Sequence, residues 1–112
     1  MKFDFFKQKK RFSVDVLRMG LITQFLGLMF SSSKTKIRLF SYNKDSKVMI
    51  HSWFVFYPFL IIWLDEKKKV FGWKKVLPFT SCVIPKTKFR HFIEVPFNSS
   101  NKKLLAHFLP KN

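Results

Sequence analysis

His51 and His91, with Asp65 and Glu94, are the candidates for acid–base chemistry or metal ligation in the middle of this sequence. A histidine titrates near neutrality, so His51 at the mouth of a pocket would hold or pass a proton. The preferred reading of His51 is structural: no partner motif accompanies it, and a hydrogen bond to a carbonyl beside Trp53 would satisfy it. Glu94 stands between Ile93 and Val95, so it faces away from both, and pairing with a lysine accounts for it. His51, Asp65 and Glu94 form the candidate ligand-binding set. None of these residues falls at a recognised metal spacing, so neither a metal nor a cofactor is expected.

The single cysteine, Cys82, lies between Ser81 and Val83 with no histidine near it in sequence. A buried structural thiol is the preferred reading over a nucleophile. One cysteine excludes a disulfide framework within the chain and a four-thiolate metal site. It is compatible with a reducing compartment, and a cytoplasmic location is expected. No P-loop, dinucleotide fingerprint, nucleophile elbow or zinc motif is present. A non-enzymatic protein is therefore the preferred reading, and weak acid–base geometry is the one remaining route to an enzyme.

The chain carries 22 Lys and Arg against 6 Asp and Glu, a net charge of +16. Such a field attracts nucleic acid and other polyanions, and Lys67, Lys68, Lys69, Lys74 and Lys75 are the candidate contacts. Aromatic residues beside the basic ones, such as Phe71 and Trp73, would suit single-stranded nucleic acid. Only Arg11, Arg18, Arg38 and Arg90 are arginines, which leaves few forks for reading phosphate or guanine bidentately. The basic residues also spread over nearly every connection. A lysine- and phenylalanine-rich codon bias explains that spread as well as function does.

Length and composition fit one domain with its own core. Residues 1–12 read as a basic N-terminal strand or arm, and residues 13–112 as a single β-rich domain. Val14, Leu17, Leu21, Phe25 and Leu28 recur at spacings of three and four, which predicts a helix over residues 14–29, capped by Ser13 and favoured by Asp15 near its positive end. From Lys36 the pattern turns to strands, including a short one at 48–50 and another at 92–95. Phe59 to Leu64 is a continuous apolar run, Asp65 to Lys69 a charged connection, and Val70 to Leu77 a second β-prone run. Together they predict an antiparallel hairpin at the centre of the sheet. Leu104 to Leu109 is expected to close the fold. The uncharged stretch Val48–Leu64 reaches the lower limit for a membrane span, but Pro58, His51 and its β-branched content argue against one. A signal-peptide core at Met19–Phe30 is disfavoured by Asp15, Arg18 and Gln24.

The run from His51 to Asp65, H-S-W-F-V-F-Y-P-F-L-I-I-W-L-D, resembles the central segment of the family called domain of unknown function 192. Gly27-Leu28-Met29-Phe30, Leu77-Pro78-Phe79 and Glu94-Val95-Pro96 match three further elements of that family in order, covering about residues 14–98. The resemblance implies a compact β-rich fold with one helix and no assigned activity. Leu28 and Phe30 are expected to be packing residues. The chain departs from the family at Leu60, where an Asp is usual, and at Gln24 and Ser31, where Arg is usual. Asn98 replaces a glycine and is expected to keep its turn through the left-handed conformation.

The expected architecture is mainly β with one N-terminal helix, a single-domain β-sandwich or barrel-like fold. The expected function is binding of a ligand or partner. Nonspecific nucleic-acid binding through basic loops is the alternative, and a small membrane-associated protein is the third reading.

Overall fold

The computed structural model describes residues 2–18, 37–46, 58–77 and 87–109. Alternation of apolar and polar residues builds its first two strands. In β1 (Lys2–Lys7) Phe3 and Phe5 are buried, with Lys2 exposed and Asp4 half-buried. In β2 (Lys10–Arg18) Phe12, Val14 and Val16 turn inward while Ser13, Asp15 and Leu17 are exposed. The two pair antiparallel, Lys2 opposite Asp15 through Lys7 opposite Lys10. Gln8 in the tight connection takes φ of 57°.

The helix expected over residues 14–29 is thus corrected: residues 14–18 are strand. Ser13 lies opposite Asp4 inside a ladder rather than at a cap, and Leu17, which completed the helical stripe, is 50% exposed. A period of two won over the accidental period of 3.6 because Val14 and Val16 alternate with short polar residues. Among the described residues the helix lies at the C-terminal end, α1 (Lys102–Ala106), after a 3-10 turn at Ser99–Asn101. Leu104 to Leu109 does close the fold. Asn98 is extended, at φ −148°, and its side chain accepts a hydrogen bond from the Asn101 backbone N at 3.0 Å, so it caps this turn instead of adopting the left-handed conformation.

The remaining strands are β3 (Ile37–Ser46), β4 (Phe59–Leu64), β5 (Val70–Val76) and β6 (Phe89–Pro96). The sheet order is β1-β2-β3-β6-β4-β5. β2 and β3 are parallel, whereas β3–β6, β6–β4 and β4–β5 are antiparallel. The predicted hairpin of β4 and β5 is present, but only β4 is interior; β5 is the last strand of the sheet. The sheet curls until its two ends meet. Phe6 bridges Lys69, and the Phe6 N–H donates to the Lys68 carbonyl at 2.9 Å. Of the expected sandwich and barrel-like alternatives, the sheet forms a single curled half-barrel.

Curling divides the core in two. The inner face gathers Phe3, Phe5, Phe12, Val16, Leu39, Leu60, Ile62, Leu64, Ile93 and Val95, covered by Phe108 with Leu104 and Leu105. The outer face gathers Phe40, Phe59, Ile61, Trp63, Val76, Phe89 and Phe92. Because β4 is buried on both faces, its continuous apolar run is what burial demands. Phe40 and Phe92 stack with ring centres 4.4 Å apart and planes 8° from parallel.

No helix among the described residues is long and apolar enough to cross a membrane, and residues 59–64 of the uncharged stretch are strand β4. The Gly27-Leu28-Met29-Phe30 element, the predicted strand at 48–50, the rest of the predicted helix, Gln24, Ser31, His51 and Cys82 lie outside the described residues.

Candidate functional site

At one mouth of the half-barrel, where β1 begins, β2 and β4 end and β6 starts, an open cavity of about 570 Å3 is lined by Lys2, Phe3, Arg18, Leu39, Ser41, Tyr42, Lys68 and His91. Barrel mouths are ordinary places for small-molecule sites. Register explains who meets there. Arg18 of β2 pairs with Leu39 of β3, and Ser41 of β3 pairs with His91 of β6. The β3–β6 register slips between Ser41 and Ser46, directly beside His91. Bulges of this kind re-aim side chains next to sites.

His91 Nδ1 and Ser41 Oγ are 2.8 Å apart, and the imidazole meets the Phe3 ring edge-on at 5.9 Å between centres. Burial holds His91 below the ordinary histidine value, and the charges of Lys68, Arg90 and Arg18 push it further down, opposed by Asp65. The imidazole is therefore biased toward its neutral form. Burial also raises Tyr42, so its phenol stays protonated as a donor. The Tyr42 ring packs against Phe89 and Phe92.

The turn between β4 and β5 delivers Lys68. Asp65 Oδ1 accepts hydrogen bonds from the backbone N–H groups of Lys67 at 2.8 Å and Lys69 at 3.0 Å, and the Asp65 carbonyl accepts from Lys68 N. Lys68 itself sits at φ 64°, a left-handed conformation that costs a non-glycine residue about 1–2 kcal/mol. Its carbonyl is tied to β1 through Phe6, and its ammonium lies 5.1 Å from the Phe3 ring centre. Asp65 thus holds the turn that holds Lys68. Asp4 stands near Lys68 too; a hydrogen bond from Ser13, then one from Arg11, lowers its pKa, and it is paired with Arg11.

Of the expected ligand-binding set, Asp65 lies beside this cavity as the cap of its lysine-bearing turn. Glu94 is elsewhere. It is fully buried on the outer face, in register with Arg38 and 4.0 Å from its guanidinium, so its partner is an arginine rather than a lysine. Leu60, where the family has an aspartate, fills the inner core at 0% exposure. His51 lies outside the described residues. The expected polyanion contacts divide: Lys68 faces the cavity, and Lys67 and Lys69 are exposed in the turn. Lys74 and Lys75, as neighbours on β5, point to opposite faces, and Lys75 lies 5.2 Å from the Phe97 ring centre. Lys2, Arg18, Ser41 and Tyr42 were not singled out by their types. Only the strand order brings them together.

A second cluster closes the seam between β1 and β5. The Lys7 ammonium lies 4.7 Å from the Trp73 ring centre and 4.8 Å from that of Phe108, and it donates to the His107 carbonyl. Trp73 Nε1 donates to the Phe108 carbonyl at 2.8 Å. Among the described residues no group of three or more His, Cys, Asp or Glu comes together to hold a metal.

No protein-family model and no curated protein matches the chain. Two solved structures are similar in fold. One is a proposed transcription regulator from Sinorhizobium meliloti 1021, with a TM-score of 0.72 and 12% identity over 90% of this chain and 82% of that one. The other is a protein of unknown function from Novosphingobium aromaticivorans DSM 12444, with a TM-score of 0.69 and 15% identity over 92% of this chain and 76% of that one. At such identities the likeness concerns the fold alone: this chain is a small, mainly β protein of a shape that other proteins also adopt.

Proposed function

We propose that this protein is a non-enzymatic binding module whose ligand is a small acidic molecule seated at the barrel mouth. The observation that carries this reading is the convergence of Lys2, Arg18 and Lys68 on one cavity with His91 and the Ser41 hydroxyl. Phe3 and Leu39 supply an apolar wall, so a ligand with an acid group and a compact hydrocarbon part fits the lining. The neutral bias of His91 suits a hydrogen-bonding group. The test is a chemical-shift titration with small carboxylates and phosphate esters. Shifts centred on Leu39, Ser41 and His91 are expected, and Arg18→Ala or Lys68→Ala should weaken binding about tenfold or more, as loss of a charge-assisted hydrogen bond does. Shifts scattered over the surface, or none, would defeat the reading.

Nucleic-acid binding is the second reading, favoured by the partly exposed Phe71 and Trp73 on β5 among Lys7, Lys74 and Lys75. It predicts sequence-indifferent binding that loses on the order of a thousandfold between about 50 and about 200 mM salt for six or so phosphate contacts. Micromolar binding surviving at physiological salt would favour it over the first reading. We also infer kinship with the domain of unknown function 192 family and a cytoplasmic location. The aspartate after the apolar strand supports the kinship, since Asp65 caps the turn that strand leads into.

A further inference from the structure

We propose that the acidic ligand is a doubly charged oxyanion of the phosphate-monoester class, and that it binds together with a proton on His91. This rests on the ligand-binding reading above and specifies its chemistry. The charge balance of the mouth points to a dianion. Among the described residues the lining carries three cations, Lys2 from β1, Arg18 from β2 and Lys68 from the β4–β5 turn, and no carboxylate. Just outside the lining, Asp65 opposes the push of Lys68, Arg90 and Arg18 on His91, and Asp4, which also feels Lys68, is paired with Arg11. A monocarboxylate would leave two of the three positive charges without a counter-ion in a partly enclosed site, whereas a phosphate ester leaves one.

The geometry also suits an ester phosphate. Its three terminal oxygens accept from several directions, matching the lysines and the arginine of the lining and the Ser41 hydroxyl. Phe3 and Leu39 lie where the esterified carbon part would rest.

His91 couples the site to protons. The groups that act on it are Arg18 on β2, Ser41 on β3, Asp65 and Lys68 in the β4–β5 turn, and its neighbour Arg90 on β6, while Lys2 on β1 lines the same cavity. Burial first, then the charges of Lys68, Arg90 and Arg18, disfavour the imidazolium. A dianion set among them reverses that field, and its oxygen accepts from a protonated ring nitrogen. Ligand and proton then favour each other reciprocally. An opposite charge within hydrogen-bonding range shifts a histidine by about one to three units, so affinity for a ligand of constant charge should fall about tenfold or more as pH rises across the titration.

The experiment uses the full chain and inorganic sulfate, which stays a dianion throughout, followed by phenyl phosphate and benzoate. Ring-carbon NMR signals of the histidines are followed from about pH 5.5 to about pH 8, with His91→Gln used only to assign the signal. Expected results are an upward move of the His91 midpoint on saturation with sulfate, sulfate affinity falling about tenfold or more over that range, and phenyl phosphate binding more tightly than benzoate. Sulfate or phenyl phosphate binding at the mouth with an unmoved His91 midpoint would overturn this inference and leave the binding reading standing. Tighter binding of benzoate would do the same. Absence of binding by all three probes would overturn both.

Discussion

Replacing Asp65 by alanine should loosen the turn that carries Lys68 while leaving the rest of the half-barrel folded. The side chain accepts two backbone hydrogen bonds, from Lys67 N at 2.8 Å and Lys69 N at 3.0 Å. Each contributes about 0.5–1.5 kcal/mol net, and solvent access to the turn keeps the sum toward the low end. Without that cap, the left-handed Lys68 is held by backbone bonds alone, from its N–H to the Asp65 carbonyl and from Phe6 N to its own carbonyl, so part of its conformational cost is no longer offset. The expected loss is about 1–3 kcal/mol. With a urea dependence of about 1–3 kcal/mol/M, the midpoint should fall by roughly 0.5–2 M. Asp65→Asn retains the Oδ1 acceptor and should lose less than half as much. Amide exchange at Phe6 should accelerate in the alanine variant, because its acceptor sits in the loosened turn. An alanine variant within about 0.5 kcal/mol of the parent, with Phe6 exchange unchanged, would refute the view that Asp65 holds the turn.

Ile62→Ala, fully buried on the inner face, should cost about 2–5 kcal/mol in chemical denaturation; a loss under about 1 kcal/mol would remove β4 from the core. Glu94→Ala should cost about 3–5 kcal/mol by the same measurement, since it strips the buried Arg38 of its paired charge. Trp73→Ala should cost about 2–4 kcal/mol and expose Phe108, read as increased protease cutting near the C-terminal end. Because folded His91 lies below its unfolded value of 6.5, the folded state resists its protonation. Stability without ligand should therefore be highest above that value, fall as pH drops through it toward the lowered folded value, and then level off. His91→Gln should flatten that component, and parallel stability–pH curves for the two proteins would contradict it.

The β4–β5 hairpin was legible because each of its signals is local: two apolar runs around a charged connection. The closing role of Leu104–Leu109 was expected, but not the helix α1 that begins it. β2 was misread for a physical reason. Val14, Leu17 and Leu21 satisfy a helical stripe only if Leu17 is inward, whereas Phe12, Val14 and Val16 satisfy a strand with Leu17 outward. Burial chose the second, and burial is decided by the parallel partner β3, about twenty residues further along. The mouth was illegible for the same reason. His91 and Asp65 stood out by type and Lys68 as one of a run of lysines, but Lys2 and Arg18 are ordinary surface cations until non-local pairing gathers them. Glu94 lay on the face its neighbours implied; its Arg38 partner depended on cross-strand register.

The seam between β1 and β5 has a consequence for how the chain is made. Phe5 and Phe12, stacked at 5.1 Å, complete their packing against Phe108, which contacts both rings. Translation adds about 5–20 residues per second, so the first hairpin emerges and waits roughly 5–20 s before the ring that covers it exists. During that interval its apolar face is open to other nascent chains and to chaperones, with the lysines and arginines at the ends of β1 and β2 to keep it dispersed. The basic start of this sequence is thus a safeguard during synthesis as well as one wall of a cavity.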